Sequence, residues 1–216
     1  MRLNKFLAQA GISSRRGADK LIEKGRVRIG DKIAKLGDKV NGKEKILLDN
    51  QEIKLKEDKE YIAIYKPVGV VSTAHDERGR QKIIDLVSSR KRLYPVGRLD
   101  LRSEGLMILT NDGDLALRLT HPRYHLEKEY EVTLDREIRN KRIKTGINKI
   151  VKQKKNKINI LMFEGKKRQI REMCREAGFR VTKLKRIRIG SLKIGDLTPG
   201  ESRHLTPQEI LELKRL

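Results

Sequence analysis

Between residues 54 and 60 the chain reads Lys-Leu-Lys-Glu-Asp-Lys-Glu, a run with a single apolar side chain to offer any core. A compact domain gains nothing by burying such a stretch, so it marks a linker and divides the 216 residues into two unequal folding units. The boundary is expected near Asp58, with one domain over 1–58 and a second over 59–216. In the first, Leu3, Phe6, Leu7 and Ala10 fall at helical spacing and Gly11 supplies a left-handed stop. A second helix, capped by Ser13, carries Ala18, Leu21 and Ile22 and closes at Gly25. Short β-like runs at Val27 and Ile29, Ile33, 46–48 and 53–55 are parted by Gly30-Asp31, Gly37-Asp38 and Asn41-Gly42. Two helices and a small sheet are the expectation for this unit.

Beyond the linker, apolar strand-like runs at 61–65, 106–110, 128–134, 157–163 and 181–189 alternate with helical stretches, and several are joined by short turns. That pattern predicts an α+β fold, a mixed and largely antiparallel sheet flanked by helices. Ile170, Met173, Cys174 and Ala177 share one helical face ended by Gly178, and Thr206-Pro207-Gln208-Glu209 is a capping box that opens a last helix.

Charge narrows the function. Lys and Arg number 52 against 29 Asp and Glu, a net charge of +23, which suits a polyanionic partner. Residues 1–58 carry +6 and the remainder +17, so the excess is no detachable tail. Eight aromatic side chains are too few for a platform that stacks many bases, and phosphate contacts around a single pocket fit better. No apolar run approaches the about 18 residues of a spanning helix, so a soluble, cytoplasmic protein outside the membrane is expected. Cys174 has no partner for a disulfide and falls on an apolar helical face, as a core hydrophobe does. His75, His121, His125 and His204 lack ligand spacing, and no phosphate-binding Gly-x-x-x-x-Gly-Lys loop is present, so neither a metal nor a cofactor is expected.

Residues 94–106, Tyr-Pro-Val-Gly-Arg-Leu-Asp-Leu-Arg-Ser-Glu-Gly-Leu, set the carboxylate of Asp100 between Arg98 and Arg102 just ahead of an apolar strand. Locally this reads first as an ordinary surface ion pair, which is common and energetically slight, and second as a nucleophile or base. Tyr130 likewise reads as core packing, on the same strand face as Val132 and Leu134, or as a ring that meets a ligand.

Taken together, the motifs resemble those of the ribosomal-RNA pseudouridine synthase family whose members carry an N-terminal module similar to ribosomal protein S-four. Residues 2–16 and Gly25-Arg26-Val27-Arg28-Ile29-Gly30 resemble that module. Downstream, residues 65–73 (Tyr-Lys-Pro-Val-Gly-Val-Val-Ser-Thr), Gly97-Arg98-Leu99-Asp100, residues 109–113 (Leu-Thr-Asn-Asp-Gly), Lys128-Glu129-Tyr130 and residues 165–171 (Gly-Lys-Lys-Arg-Gln-Ile-Arg) match the family's motifs in order and spacing. The resemblance implies that Asp100 is the catalytic aspartate, that Tyr130 stacks on the target base, that Arg171 pairs with the aspartate, and that Leu184 packs in the pocket. It further implies that Arg98 and Lys66 shape the loop or contact RNA, and that Lys167 and Arg168 contact RNA. In the first module Arg2, Lys5, Arg15 and Arg16 are the expected phosphate-gripping face. An arginine beside Asp100 would hold it ionised, so no metal is needed. Two positions depart from the pattern: Ser103 stands where threonine is usual, and Lys167 where asparagine is frequent.

The implied activity is conversion of uridine to pseudouridine in ribosomal RNA by a monomer without cofactor. Glu104-Gly105 and the Leu-Thr-Asn-Asp-Gly turn lean toward the large-subunit (23S) substrate. The alternatives are a small-subunit (16S) enzyme and a non-catalytic rRNA-binding assembly factor.

Overall fold

The computed structural model describes residues 1–55, 58–138, 143–146, 148–166 and 168–215. The chain forms two compact units, Met1–Lys59 and Glu60–Leu216.

In the first unit, helices α1 (Leu3–Gln9) and α2 (Arg15–Glu23) cover a sheet of four short strands. These are β1 (Val27–Ile29), β2 (Lys32–Ile33), β3 (Ile46–Leu48) and β4 (Gln51–Ile53), in the order β2-β1-β3-β4 with every neighbour antiparallel. Leu3, Phe6, Leu7, Ala18, Ile22, Val27 and Ile46 make the core. One detail departs from the sequence reading: α2 is capped by Ser14, whose Oγ accepts from Gly17 N at 3.0 Å, while the neighbouring Ser13 hydroxyl donates to the Ser14 carbonyl. The cap belongs to the residue with extended backbone directly before the first helical turn, and that residue is Ser14.

The second unit is built on a nine-stranded sheet. Its strands are β5 (Tyr61–Lys66), β6 (Tyr94–Pro95), β7 (Glu104–Thr110), β8 (Lys128–Leu134), β9 (Lys149–Lys154), β10 (Lys157–Met162), β11 (Val181–Ile189), β12 (Leu192–Lys193) and β13 (Ser202–His204). Helices α3 (Gly113–Thr120), α4 (Gln169–Glu176) and α5 (Pro207–Arg215) complete it. The main path runs β13-β5-β7-β11-β8-β10-β9, with β6 paired to β7 and β12 to β11. Pairing is antiparallel throughout except between β7 and β11.

Continuous burial marks β5 and β7 as interior strands covered on both faces. Tyr61, Ala63, Tyr65, Leu106 and Ile108 face a core closed by Leu115 and Leu119 of α3 and Leu213 of α5. Ile62, Ile64, Met107 and Leu109 face the opposite core, with Val70, Ile83 and Leu99. Buried on both sides, these strands read as continuous apolar runs. A third core joins Val132, Leu134, Ile158 and Ile160 to Ile170 and Cys174 of α4. Thr206 and Glu209 form the expected capping box on α5, with Glu209 N donating to Thr206 Oγ1 at 3.2 Å and Thr206 N donating to the Glu209 carboxylate at 2.9 Å.

The parallel contact of β7 with β11 covers two residue pairs, Lys185 with Glu104 and Arg186 with Gly105. Gly105 adopts a φ of +111°, and a Cβ placed on it would lie 2.3 Å from Arg186 O and 2.5 Å from Arg186 N. No side chain fits there, so this glycine sets how near the strand leading out of the Asp100 loop comes to β11. A Gly105→Ala variant is expected to lose about 3 kcal/mol or more of stability through that backbone clash. Urea unfolding followed by circular dichroism checks it, and a loss within the scatter of surface substitutions would contradict the close approach.

Candidate active site

Asp100 sits in the loop between β6 and β7, and residues 66–72 hold that loop from beneath. Ser72 Oγ donates to Leu99 O at 2.9 Å and accepts from Leu99 N at 3.1 Å. Gly69 N donates to Leu101 O at 2.9 Å, and Lys66 Nζ donates to Ser103 O at 2.7 Å and to Pro67 O at 2.8 Å. Ser103 N closes a turn on Asp100 O at 3.0 Å, and Arg171 Nη2 reaches from α4 to Arg102 O at 3.0 Å. Every carbonyl from Leu99 to Ser103 thus has a donor, which fixes the backbone beneath the Asp100 side chain.

Lys66 is 0 % exposed, so of the two roles expected for it, shaping the loop or contacting RNA, burial speaks against the RNA contact and its ammonium organises the loop from inside the protein. Burial pulls its pKa down to about 8, against the raising influence of Glu104 and then of Asp100. Arg171 also differs from expectation. Among the described residues it makes no ion pair with Asp100; its guanidinium is spent on the Arg102 and Val181 carbonyls. Its charge nevertheless feels the aspartate: burial lowers its pKa, and Asp100 is the first influence opposing that fall. Arg171 therefore acts on the carboxylate through space and through the loop backbone.

Above the loop lies a pocket of about 240 Å³ whose walls include Arg98, Asp100, Ser103, Tyr130, Arg168 and Leu184. The structure thus gathers most of the expected residues of the second unit in one place. The Asp100 carboxylate is exposed and, among the described residues, takes no side-chain hydrogen bond. Ser103 is 1 % exposed with its hydroxyl unpartnered. Tyr130 projects from β8, packed against two of the cores and half-buried, so that its ring borders the pocket while supporting the interior. Arg98 and Arg168 are exposed, and Arg168 holds a left-handed φ of +56° at the start of α4. Lys167 lies outside the described residues. In the first unit Arg2, Arg15 and Arg16 are exposed and Lys5 is half-buried.

Beside this pocket opens a second cavity of about 380 Å³, sharing the walls formed by Arg98, Tyr130 and residues 164–166. Lys128 and Arg186 line it, and sequence reading gave neither a role. Strand register explains their placement. Arg186 on β11 stands opposite Tyr130 on β8, and Lys128 lies two residues before Tyr130, so all three fall on one sheet face.

An open carboxylate, a phenol ring and a rim of cations suit recognition of a nucleobase carried by an anionic backbone. Residues 60–176 match the family description RNA pseudouridylate synthase, and residues 1–46 match the S4 domain. The chain is 37 % identical over 235 residues to "Ribosomal large subunit pseudouridine synthase B" of Bacillus subtilis, covering 100 % of this chain and 96 % of that protein. It is 39 % identical over 230 residues to "Dual-specificity RNA pseudouridine synthase RluF" of Escherichia coli K12, covering 100 % of this chain and 79 % of that one. A solved structure described as "Crystal structure of pseudouridylate synthase" superposes with a TM-score of 0.70 at 29 % identity, over 99 % of both chains. The chain belongs to the RNA pseudouridylate synthase family. Among the described residues no helix is long and apolar enough to cross a membrane.

The buried ammonium of Lys66 gives a pH signature. With a folded pKa near 8 against 10.5 in the ordinary state, the unfolded chain binds more protons between those values, so stability rises with pH across that window. Tyr61 and Tyr65, whose pKa values are raised by burial, oppose the rise only above their ordinary value of 10. Between pH 8 and 10 Lys66 should contribute an increase on the order of 2 kcal/mol. Urea midpoints at the two pH values check this: Lys66→Met should be less stable at both and should show a smaller rise than the parent protein, and an equal rise would refute the assignment.

Proposed function

We propose that this protein isomerises uridine to pseudouridine in ribosomal RNA, with Asp100 as the reacting carboxylate and the large-subunit 23S rRNA as substrate. The observation that carries the reading is the single pocket in which the unencumbered Asp100 carboxylate, the Tyr130 ring and the apolar Leu184 side chain meet. A uracil turned out of the RNA stack would lie against Tyr130, with Leu184 on its apolar border and Asp100 at its sugar or ring. Extrusion costs a few kcal/mol, on the order of one stacking step, which phosphate contacts to the surrounding cations repay.

The chemistry balances without a co-reactant. Asp100 attacks or deprotonates the nucleotide as the N1–C1′ bond breaks; the uracil turns, C5 bonds to C1′, C5 gives up its proton and N1 gains one. Composition and oxidation state are unchanged. Arg171, coupled to Asp100 through the Arg102 carbonyl and through its charge, keeps the loop in the geometry this step requires. Arg98 and Arg168, exposed at the pocket, take the flanking backbone. The substrate assignment rests on the Bacillus subtilis relative, a pseudouridine synthase named for the large ribosomal subunit. The S4 domain supplies a second RNA contact, through Arg2, Lys5, Arg15 and Arg16.

Incubation of the protein with a 23S rRNA transcript, followed by pseudouridine mapping, tests the reading. Asp100→Ala is expected to lower product formation by about a thousandfold or more while RNA affinity changes little. Equal product from both proteins would remove Asp100 from the reaction, and none from either, beside an active control enzyme, would favour an RNA-binding assembly factor. For the first unit, the Arg15→Ala, Arg16→Ala double variant should lower the slope of log affinity against log salt by about 1 to 2. Filter binding across a potassium chloride series reads that slope, and an unaltered one would take these arginines off the RNA.

A further inference from the structure

The cavity beside the Asp100 pocket is electrostatically incomplete. Arg186 is 2 % exposed, yet among the described residues no carboxylate pairs with it. Its Nε donates to Leu106 O at 2.7 Å, just where the parallel contact of β7 with β11 ends, while its Nη2 has no acceptor. Lys128, half-buried on the same sheet face, has among the described residues only the Leu126 carbonyl as hydrogen-bond partner, at 3.0 Å. Burial and the nearby Arg186 charge pull its pKa down to about 8. Among the described residues the one carboxylate in the wall, Glu164, is already engaged by Lys166 at 3.1 Å and by the Gln169 amide. Native proteins seldom leave a buried guanidinium donor and a neighbouring ammonium without an anion, because each loses hydration for which nothing compensates.

We propose that this cavity is a phosphodiester subsite, in which Lys128 and Arg186 hold a backbone phosphate adjacent to the nucleotide whose base occupies the Asp100 pocket. A phosphate supplies what is missing: negative charge, and oxygens that accept from both cations. The apolar walls, among them Ile108, Leu119, Leu126 and Ile189, lower the local dielectric and strengthen such a contact. An RNA backbone fits better than a free anion because the two cavities share Tyr130 and Arg98 as a common wall, so one strand can place a base in the first and the next phosphate in the second. The inference rests on the RNA-modifying reading above for the occupant of the first pocket.

The test uses the full chain as parent, Lys128→Met and Arg186→Gln, each checked for a cooperative melt. Lys128→Met is the informative variant should Arg186→Gln fail to fold, because it removes a half-buried charge without touching the Leu106 hydrogen bond. The 23S transcript serves as RNA, and affinity is read across a salt series. Loss of one phosphate contact should lower the salt slope by about 0.7 to 0.9 and weaken binding about tenfold at low salt. A set of short RNAs spanning the mapped uridine, each with one phosphate made neutral as a methylphosphonate, locates the contact. One position beside that uridine should cost the parent about tenfold in affinity and cost Lys128→Met nothing further. Inorganic phosphate provides the second arm. If it competes through Lys128 while no RNA phosphate couples to that residue, the cavity takes a free anion and the proposal is wrong. An unchanged slope in Lys128→Met also overturns it. Failure of the transcript to acquire pseudouridine would count against the enzymatic reading alone, since the salt slope still decides whether Lys128 meets a phosphate.

Discussion

The ammonium of Lys66 is the interaction on which the second unit's arrangement depends. Taking a lysine charge wholly out of water costs several kcal/mol, on the order of a whole domain's net stability, unless its donors are used. Here they are used on Ser103 O and Pro67 O, with Glu104 and Asp100 supplying negative potential. One buried cation therefore ties the end of β5 to the loop that precedes β7. Ser72 and Gly69 extend the same tie to Leu99 and Leu101. The stretch 65–73 and the stretch 97–100 are separate in sequence because one is the scaffold of the other. A carboxylate that must meet a large, flexible substrate gains most from a backbone that has no freedom left to lose.

From that loop the chain enters β7, and Gly105 fixes how β7 lies against β11. The two strands touch over two residue pairs, after which the Arg186 side chain takes the Leu106 carbonyl. β11 in turn pairs along nearly its whole length with β8, which carries Tyr130. The position of the phenol relative to the carboxylate is thus transmitted through one glycine and one strand, with no direct contact between the two side chains required. Removal of either element would leave both residues present and the pocket lost.

How much of this was legible in the sequence follows from what each residue does. Strands 128–134 and 181–189 were read with their observed bounds, because alternation of apolar and polar side chains is the physical consequence of one buried sheet face. The sequence does not announce β9: Lys-Ile-Val-Lys-Gln-Lys is a mostly exposed edge strand in which Ile150 alone packs against a core, too little to set an alternating pattern, and its turn to β10 uses Lys155 at a φ of +53° where a glycine would have signalled a hairpin. For Lys66 the sequence leaves two roles open, shaping the loop or contacting RNA, since a lysine is almost always solvated and no local pattern announces its burial. Arg171, expected to pair with Asp100, has a charge that feels the carboxylate but donates its hydrogen bonds to backbone, a distinction that residue type and spacing do not carry. Arg186 sits in Lys-Leu-Lys-Arg-Ile-Arg-Ile, a strand so charged that its inward-facing cation looks like its outward-facing ones. Only the register against Tyr130 separates them.

The same register bears on why so basic a protein is not merely adhesive. Most of its excess charge is solvated, where each contact with RNA is weak, screened by salt and indifferent to position. Lys128 and Arg186 are of another kind: partly or wholly desolvated, close enough for one to depress the pKa of the other, and without a counter-ion among the described residues. Their cost is borne by the cores that surround them, which is a stability loss accepted at a site and compensated elsewhere. Such a pair discriminates, because it is relieved only by an anion delivered to one location, whereas surface cations are satisfied by any. The distinction between binding RNA and binding it in one register then lies in burial rather than in the number of basic residues.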